Sequence, residues 1–280
     1  MKLKDKVAIV TGAGRGIGRA IALAFAKEGA EVVLASRTLS QIEETSEKVR
    51  ALGGRAMAVR ADVSKREDVE NLVRSAIKEF GRVDILVNNA GVQGPIGPLV
   101  TNDIDNWIQT VHINLIGTFL CCRAVLPGMM ERRQGKIINL SGGGATSSRP
   151  RFTAYGSSKT AVVRLTEALA EEVKEFNIQV NAISPGAVNT KMLYEVLEAG
   201  EAAGEKALAA ARRQLETGGT PHEVVAALAV FLASDESDGL TGRLISAVWD
   251  DWQRMSERIP EIMSTDMYTL RRIVQAVKLF

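Results

Sequence analysis

Short, nearly unbroken apolar runs alternate along this chain with longer stretches whose apolar residues recur at helical spacing. The runs Val7–Thr11, Glu31–Ala35, Ala56–Arg60, Ile85–Asn88, Lys136–Leu140, Gln179–Ile183 and Leu244–Val248 predict seven strands. Strands that are apolar on both sides belong in a sheet covered on both faces. Regular strand–helix alternation predicts an α/β architecture: a doubly wound parallel sheet with helices on either side. Ser40-Gln-Ile-Glu43 and Ser64-Lys-Arg-Glu67 read as capping boxes that open two of the helices.

Two segments stand outside this alternation. Residues 190–220 form an Ala- and Glu-rich helical insert, with Gly200, Gly204, Gly218 and Gly219 as candidate hinges. Residues 249–280 follow the last strand as a tail, in which Leu270, Ile273, Val274 and Val277 make an amphipathic stripe. The expected organisation is therefore a catalytic domain over 1–248, with 190–220 as a lid within it, and a tail over 249–280 packed on the domain or on a partner subunit.

Composition narrows the classes. The chain has 280 residues, is 46% hydrophobic and 24% charged, and carries a net charge of only +2. Such a balance gives no electrostatic case for nucleic acid or an anionic membrane surface. No run reads as a membrane span, and the apolar run after the N-terminus is too short for a signal-peptide core. Cys121 and Cys122 are helical neighbours that point apart, which suits packing thiols in a reducing compartment. A cytoplasmic location is expected. His112 and His222 lack metal-ligand spacing, so they read as packing or surface residues and no metal is expected.

The chemistry gathers at predicted strand ends. Thr11-Gly-Ala-Gly-Arg-Gly-Ile-Gly18 follows the first strand and opens the first helix. Glycines there permit a tight turn and close backbone approach to a pyrophosphate at the helix N-terminus. Gly12, Arg15, Gly16, Ile17 and Gly18 are the candidate contacts. The second strand ends in Ser36-Arg37, where a carboxylate would bind a ribose hydroxyl; a guanidinium suits a phosphate instead. Asn88-Asn-Ala-Gly91 and Pro185-Gly-Ala-Val-Asn-Thr190 close two further strands. Asn114 lies mid-helix, against its propensity, and either a backbone-bonding or a catalytic role would explain it. Tyr155 and Lys159 stand four apart, on one face of a helix. An ammonium near a phenol favours the phenolate, so the pair can move a proton to or from a substrate oxygen.

Taken in order, Thr11–Gly18, Asn88–Gly91, Asn114, Ser141, Tyr155 with Lys159, and Pro185–Thr190 resemble the short-chain dehydrogenase/reductase family over residues ~5 to ~246. The resemblance implies a single Rossmann-like domain in a homodimer or homotetramer, a nicotinamide cofactor, and a small-molecule carbonyl or alcohol substrate. It gives Tyr155 the acid/base role and has Lys159 lower its pKa and hold the nicotinamide ribose. Asn114 would hold a relay water, and Ser141 would bind the substrate oxygen. Asp62 and Val63 would contact adenine. Asn89, Ala90 and Gly91 would line the cofactor site, with Pro185, Gly186, Val188 and Thr190 toward the nicotinamide. Ser36-Arg37 resembles the members that prefer NADP(H), with NAD(H) as the weaker alternative.

Two positions depart from the family pattern. The serine usually stands thirteen residues before the tyrosine, and Gly142 is found there, beside Ser141; Ser141, or else Ser147 or Ser148, would have to supply the hydroxyl. The usual Val-Asp-Gly-Gly after the last strand is replaced by Ala247-Val-Trp-Asp250. The expected activity is NADP(H)-dependent interconversion of a carbonyl and a secondary alcohol. The alternatives are a 3-oxoacyl-carrier-protein reductase, weakened by Phe176 where such enzymes often carry arginine, and a nucleotide-binding sensor with a decayed active site.

Overall fold

The computed structural model describes residues 1–272. Seven strands form one sheet: β1 (Val7–Thr11), β2 (Glu31–Ser36), β3 (Ala56–Arg60), β4 (Ile85–Asn88), β5 (Gly135–Leu140), β6 (Ile178–Ser184) and β7 (Leu244–Ser246). Their order is β3-β2-β1-β4-β5-β6-β7, and every pairing is parallel. The chain starts in the middle, winds outward to β3, then returns to cross the sheet through β4. The crevice between β1 and β4 is the switch point where ligands bind in such sheets.

The pleat explains the apolar runs. Ala8, Val10, Val32, Leu34, Ile85, Val87 and Ile138 face one core, with α1 (Gly16–Lys27), α2 (Leu39–Ala51) and α9 (His222–Ala233) packed over it. Ile9, Val33, Leu86, Ile137 and Val180 face the other, beneath α3 (Arg66–Phe80), α5 (Gly117–Arg132) and α6 (Thr153–Val173). Alternate residues point to opposite faces, so a run apolar at every position serves both layers.

Neither predicted capping box forms. Ser40 lies inside α2, whose N-cap is Thr38, and α3 begins only after Lys65. Ser64 instead donates its hydroxyl to Asp62 Oδ1 at 2.7 Å, which makes a turn before the helix. A side-chain cap occurs at α4 (Ile104–Val111), where Asp103 Oδ1 accepts the Asn106 N–H at 2.7 Å. Helix α4 runs through a π-helical turn, His112–Ile116, into α5. This continuous helix is long and apolar enough to cross a membrane, which corrects the expectation that no segment is. Its inward residues Ile113, Cys121, Cys122, Val125 and Met129 are part of the sheet-side core.

The insert forms α7 (Lys191–Ala199), a 3₁₀ turn and α8 (Glu205–Thr217). It has its own small core of Leu193, Val196, Ala203 and Ala211 around Phe152. The Thr220 N–H donates to Ala187 O at 2.7 Å, closing its neck. Gly200, Gly204, Gly218 and Gly219 all have positive φ.

After β7 the chain turns through Ser246–Asp250, where Asp250 Oδ2 accepts the Ser246 N–H at 2.6 Å. Trp252, Met255 and Ile262, the last on α10 (Ile259–Met263), then enter the core under α9. The ring centroids of Trp252 and Phe231 are 6.1 Å apart. The Leu244 N–H of edge strand β7 donates to Tyr268 O at 2.8 Å, so the tail covers a sheet edge that would otherwise be open. Of the stripe read from the sequence, Ile273, Val274 and Val277 lie outside the described residues.

Candidate active site

The carboxyl ends of β1, β2, β4, β5 and β6 open into one groove of about 1020 Å³. Thr11 organises its floor. Its hydroxyl donates to Val87 O at 3.2 Å and accepts the N–H groups of Asn89 and Ala90, both at 3.0 Å. The Asn89 side-chain amide donates to Thr11 O at 2.8 Å and Gly12 O at 3.2 Å. The first glycine loop and the β4 loop are thus one hydrogen-bonded unit.

The glycines divide by role. Gly12 has φ +65°, and a Cβ there would stand 2.8 Å from Asn89 Nδ2. Gly18 is packed from behind: a Cβ would collide with Gly12 O and the Asn89 amide. Gly16 has φ +55°, and its Cβ direction meets nothing nearer than 3.7 Å. Open space therefore lies over the N-terminus of α1, where the first-turn N–H groups have no helical partners. This cradle fits a dinucleotide's pyrophosphate. Gly12, Arg15, Gly16 and Ile17 line it, followed by Ser36, Arg37, Asp62 and Val63, then Asn89, Ala90 and Gly91, and across the groove Pro185, Gly186, Val188 and Thr190. Arg15 and Arg37 are exposed at its rim. The Ser36 hydroxyl is engaged in its own turn, donating to Thr38 O at 3.0 Å and accepting the Thr38 N–H at 3.2 Å.

Tyr155 and Lys159 share the inner end of the groove on α6, with Ser141 and Gly142 opposite on the β5 end. Buried amides set these strand ends. Asn88 Nδ2 donates to Asn139 Oδ1 at 2.9 Å, and Asn139 Nδ2 donates to Thr166 Oγ1 at 2.8 Å. The Lys159 ammonium donates to Leu140 O at 2.7 Å and lies 5.9 Å from the Tyr155 ring centroid. Burial drives that ammonium down to about 8. Burial also pushes the Tyr155 phenol above its usual value, and the charge opposing this is the guanidinium of Arg149.

Asn114 stands behind the wall. Its Oδ1 accepts the Val92 N–H at 2.9 Å, and its Nδ2 donates to Val92 O and to Ser158 Oγ, both at 3.0 Å. Ser158 in turn donates to Tyr155 O at 2.8 Å. Asn114 is fully buried in the π-helical turn and pins the β4 loop to α6. Of the residues singled out from sequence, Asn114 and Gly18 do not line the groove. Ser141 does line it, but its hydroxyl is buried without a hydrogen-bond partner. Gly142 faces the phenol directly: a Cβ there would overlap the Tyr155 hydroxyl.

Among the groove residues not singled out as site residues from the sequence, three carry polar groups aimed at chemistry. Arg149 sits on the loop before α6, with its guanidinium 3.8 Å from the Phe152 ring centroid. The Gln93 side-chain amide is buried with no partner. His222, read above as packing or surface, has a buried, unpartnered Nε2 lying 3.9 Å from where a Gly16 Cβ would stand. None has periodicity or spacing that marks it in sequence; each reaches the groove through a loop or helix start. Among the described residues, no cluster of His, Cys, Asp or Glu forms a metal site. The Cys121 and Cys122 thiols are free and buried, and burial pushes Cys122 up to about 12, only partly offset by the Asn88 amide.

A glycine cradle, a phenol–ammonium pair and a seven-stranded parallel sheet in this order define a nicotinamide-dependent oxidoreductase of alcohols and carbonyls. The family model described as short chain dehydrogenase matches residues 6–200, and the chain belongs to that family. It is 42% identical over 246 residues to 3beta-hydroxysteroid dehydrogenase 1 of Eggerthella lenta, covering 86% of this chain and 91% of that one. It is 36% identical over 245 residues to the 3-oxoacyl-[acyl-carrier-protein] reductase FabG of Thermotoga maritima, covering 88% and 97%. Among solved structures it is similar to an NAD+-bound xylitol dehydrogenase, with a TM-score of 0.82 and 31% identity over 88% of this chain and 98% of that one.

Proposed function

We propose that this chain is an NADP(H)-dependent oxidoreductase that interconverts a carbonyl and a secondary alcohol, with Tyr155 as the acid/base. The observation that carries this reading is the buried Tyr155 hydroxyl, set against Gly142 with the Lys159 ammonium 5.9 Å from its ring centroid, in the same groove as the glycine cradle. When bound, the cofactor supplies or accepts hydride at its nicotinamide. Gly12, Arg15, Gly16 and Ile17 would hold its pyrophosphate, Asp62 and Val63 its adenine, and Asn89, Ala90, Gly91 and Lys159 its nicotinamide half. Pro185, Gly186, Val188 and Thr190 would close over that half. Arg37, with Arg15, would take the 2′-phosphate; both are exposed cations at the rim, and no carboxylate ends β2. The NAD+-bound neighbour makes this preference a matter for assay.

At the inner end, Tyr155 gives a proton to the substrate oxygen during reduction and removes it during oxidation. Lys159 keeps positive charge beneath the phenol and is anchored by Leu140 O. Asn114 fixes the wall that both residues lean on. The insert over 190–220 serves as the lid. Its glycine hinges and closed neck support this reading, as does Arg151, which donates to Glu201 O at 3.3 Å and Ala202 O at 3.2 Å. Exposed Leu99, Val100, Ile104, Ile108 and Phe119 support a homodimer or homotetramer. Free buried thiols support a cytoplasmic setting.

A second reading, reduction of a 3-oxoacyl carrier, draws on the Thermotoga maritima relative. At the position of interest, however, Phe176 lies under the Arg133 guanidinium, 5.7 Å from ring centroid to Cζ. Turnover of NADPH and NADP+ with a panel of ketones, 3-oxoacyl thioesters and secondary alcohols tests both. Tyr155→Phe is expected to keep less than a few per cent of kcat, with NADPH affinity near wild type. Wild-type kcat in Tyr155→Phe would assign the proton to another group, and no turnover by the wild type would favour the sensor.

A further inference from the structure

The proton donor is in place, yet the substrate oxygen lacks the second donor that the family draws from a serine. Gly142 has no side chain, and the phenol fills the space one would take. Ser141 lines the groove, but its hydroxyl is buried and unpartnered. Ser147 and Ser148 are exposed and do not line the groove.

Arg149 is in the groove instead. Its guanidinium lies on the fully buried Phe152 ring, 3.8 Å from the centroid, and 5.9 Å from the Tyr155 centroid. Its Nη1 is 3.9 Å from where a Cβ on Gly143 would stand, next to the glycine that abuts the phenol. Among the described residues its guanidinium makes no ion pair and no hydrogen bond, although those of other arginines near the groove do, Arg19 with Glu44 at 2.9 Å and Arg151 with the lid carbonyls. A guanidinium has five N–H donors, and those of half-buried Arg149 bond no protein group, so a ligand entering the groove can take them from water. Its surroundings are aromatic faces and glycine backbone, so its donors are left for whatever enters the groove.

We propose that Arg149 replaces the missing serine, donating a charge-assisted hydrogen bond to the substrate oxygen that Tyr155 protonates or deprotonates. This rests on the carbonyl/alcohol reading above. During reduction the oxygen gains negative charge as hydride reaches the carbon, and a fixed cation there stabilises it more than a neutral hydroxyl would. The same charge also acts on the phenol: it opposes the upward push of burial on Tyr155, a role the sequence pattern gives to Lys159 alone.

Arg149→Met tests this, because it keeps an apolar stem on Phe152 and drops the charge; Arg149→Ala and Arg149→Lys complete the series. Each is assayed with NADPH and neutral ketones beside the wild type, with NADPH affinity by fluorescence and a thermal melt. Arg149→Met is expected to lose ~10²–10³ in kcat with unchanged NADPH affinity and melting. Its pH–rate limb from Tyr155 should move to higher pH. Added guanidinium ion should restore part of the activity of Arg149→Ala and none of that of Tyr155→Phe. An active wild type with Arg149→Met within about threefold in kcat and an unmoved pH limb overturns this assignment alone. So does an effect confined to KM for acidic substrates, which would place a substrate carboxylate on Arg149. A wild type that turns over nothing on the panel overturns the parent reading and this one with it.

Discussion

Gly142 and Tyr155 are in direct contact across the groove, and the phenolic hydroxyl occupies the volume that a side chain at 142 would need. The glycine therefore does more than lack a serine: it sets where the phenol of Tyr155, the proposed acid/base, stands. Gly142→Ala is expected to displace the phenol and lower kcat by ~10²-fold, since a misplacement of about 1 Å can cost that much. NADPH affinity should be nearly unchanged. Gly142→Ser should behave alike, because the same Cβ collides. Steady-state kinetics and fluorescence titration of the two variants check this, and wild-type kcat in Gly142→Ala would show that the tyrosine yields freely.

Arg37 is expected to set the cofactor preference. One charged hydrogen bond contributes ~1.5–3 kcal/mol, so Arg37→Ala should weaken NADPH binding by ~10-fold or more and leave NADH almost unchanged. Ser36→Asp should shift preference toward NADH by placing a carboxylate beside the phosphate site. Dissociation constants for both cofactors, measured at low and moderate salt, decide it. Equal kcat/KM for NADH and NADPH in the wild type would return Arg37 to the surface.

Lys159 carries a stability cost that pH reveals. Its folded pKa is about 8, below the ordinary lysine value of 10.5, because burial disfavours the charge. The unfolded chain then binds more protons than the native one between those values, so stability rises with pH through that window. Below pH 8 the native state holds a desolvated charge, worth on the order of 3 kcal/mol against folding. Lys159→Met should therefore be inactive yet at least as stable as wild type at neutral pH, with its advantage shrinking from pH 8 to 10.5. Paired urea melts across that range measure the difference; a constant gap would mean that the ammonium is well solvated.

Two tail tryptophans should respond in opposite ways. Trp252 is 9% exposed, packs on Phe231 and donates its indole N–H to Ala247 O at 3.3 Å, whereas Trp249 is 85% exposed. Trp252→Ala is expected to lose roughly 3–5 kcal/mol. Trp249→Ala should change stability by no more than ~0.5 kcal/mol in a monomer. Denaturant midpoints give both values. A large loss at Trp249 would show that it is covered in an oligomer.

The sequence alone determined the seven strands, their parallel sheet and most of the groove. Strand runs apolar at every position can be satisfied only between two helical layers, and the short loops after them must lie at one edge of the sheet. Glycines at 12 and 16 and the i, i+4 pair Tyr155 and Lys159 are local patterns, so they were legible as they stood. The start of α3 after Lys65 was not, because Ser64 found a nearer partner in Asp62 than the helix N–H groups offered. Asn114 left two roles open in sequence; only packing showed its amide spent on Val92 and Ser158. Arg149 was invisible for the same reason. Its position follows from how the loop 141–152 folds over Phe152, and an arginine between two serines and a proline has no spacing that reveals it. Periodic, short-range constraints are written along the chain. Contacts between a loop residue and a distant helix exist only once the core has fixed both, and here they decide which charge the phenol meets.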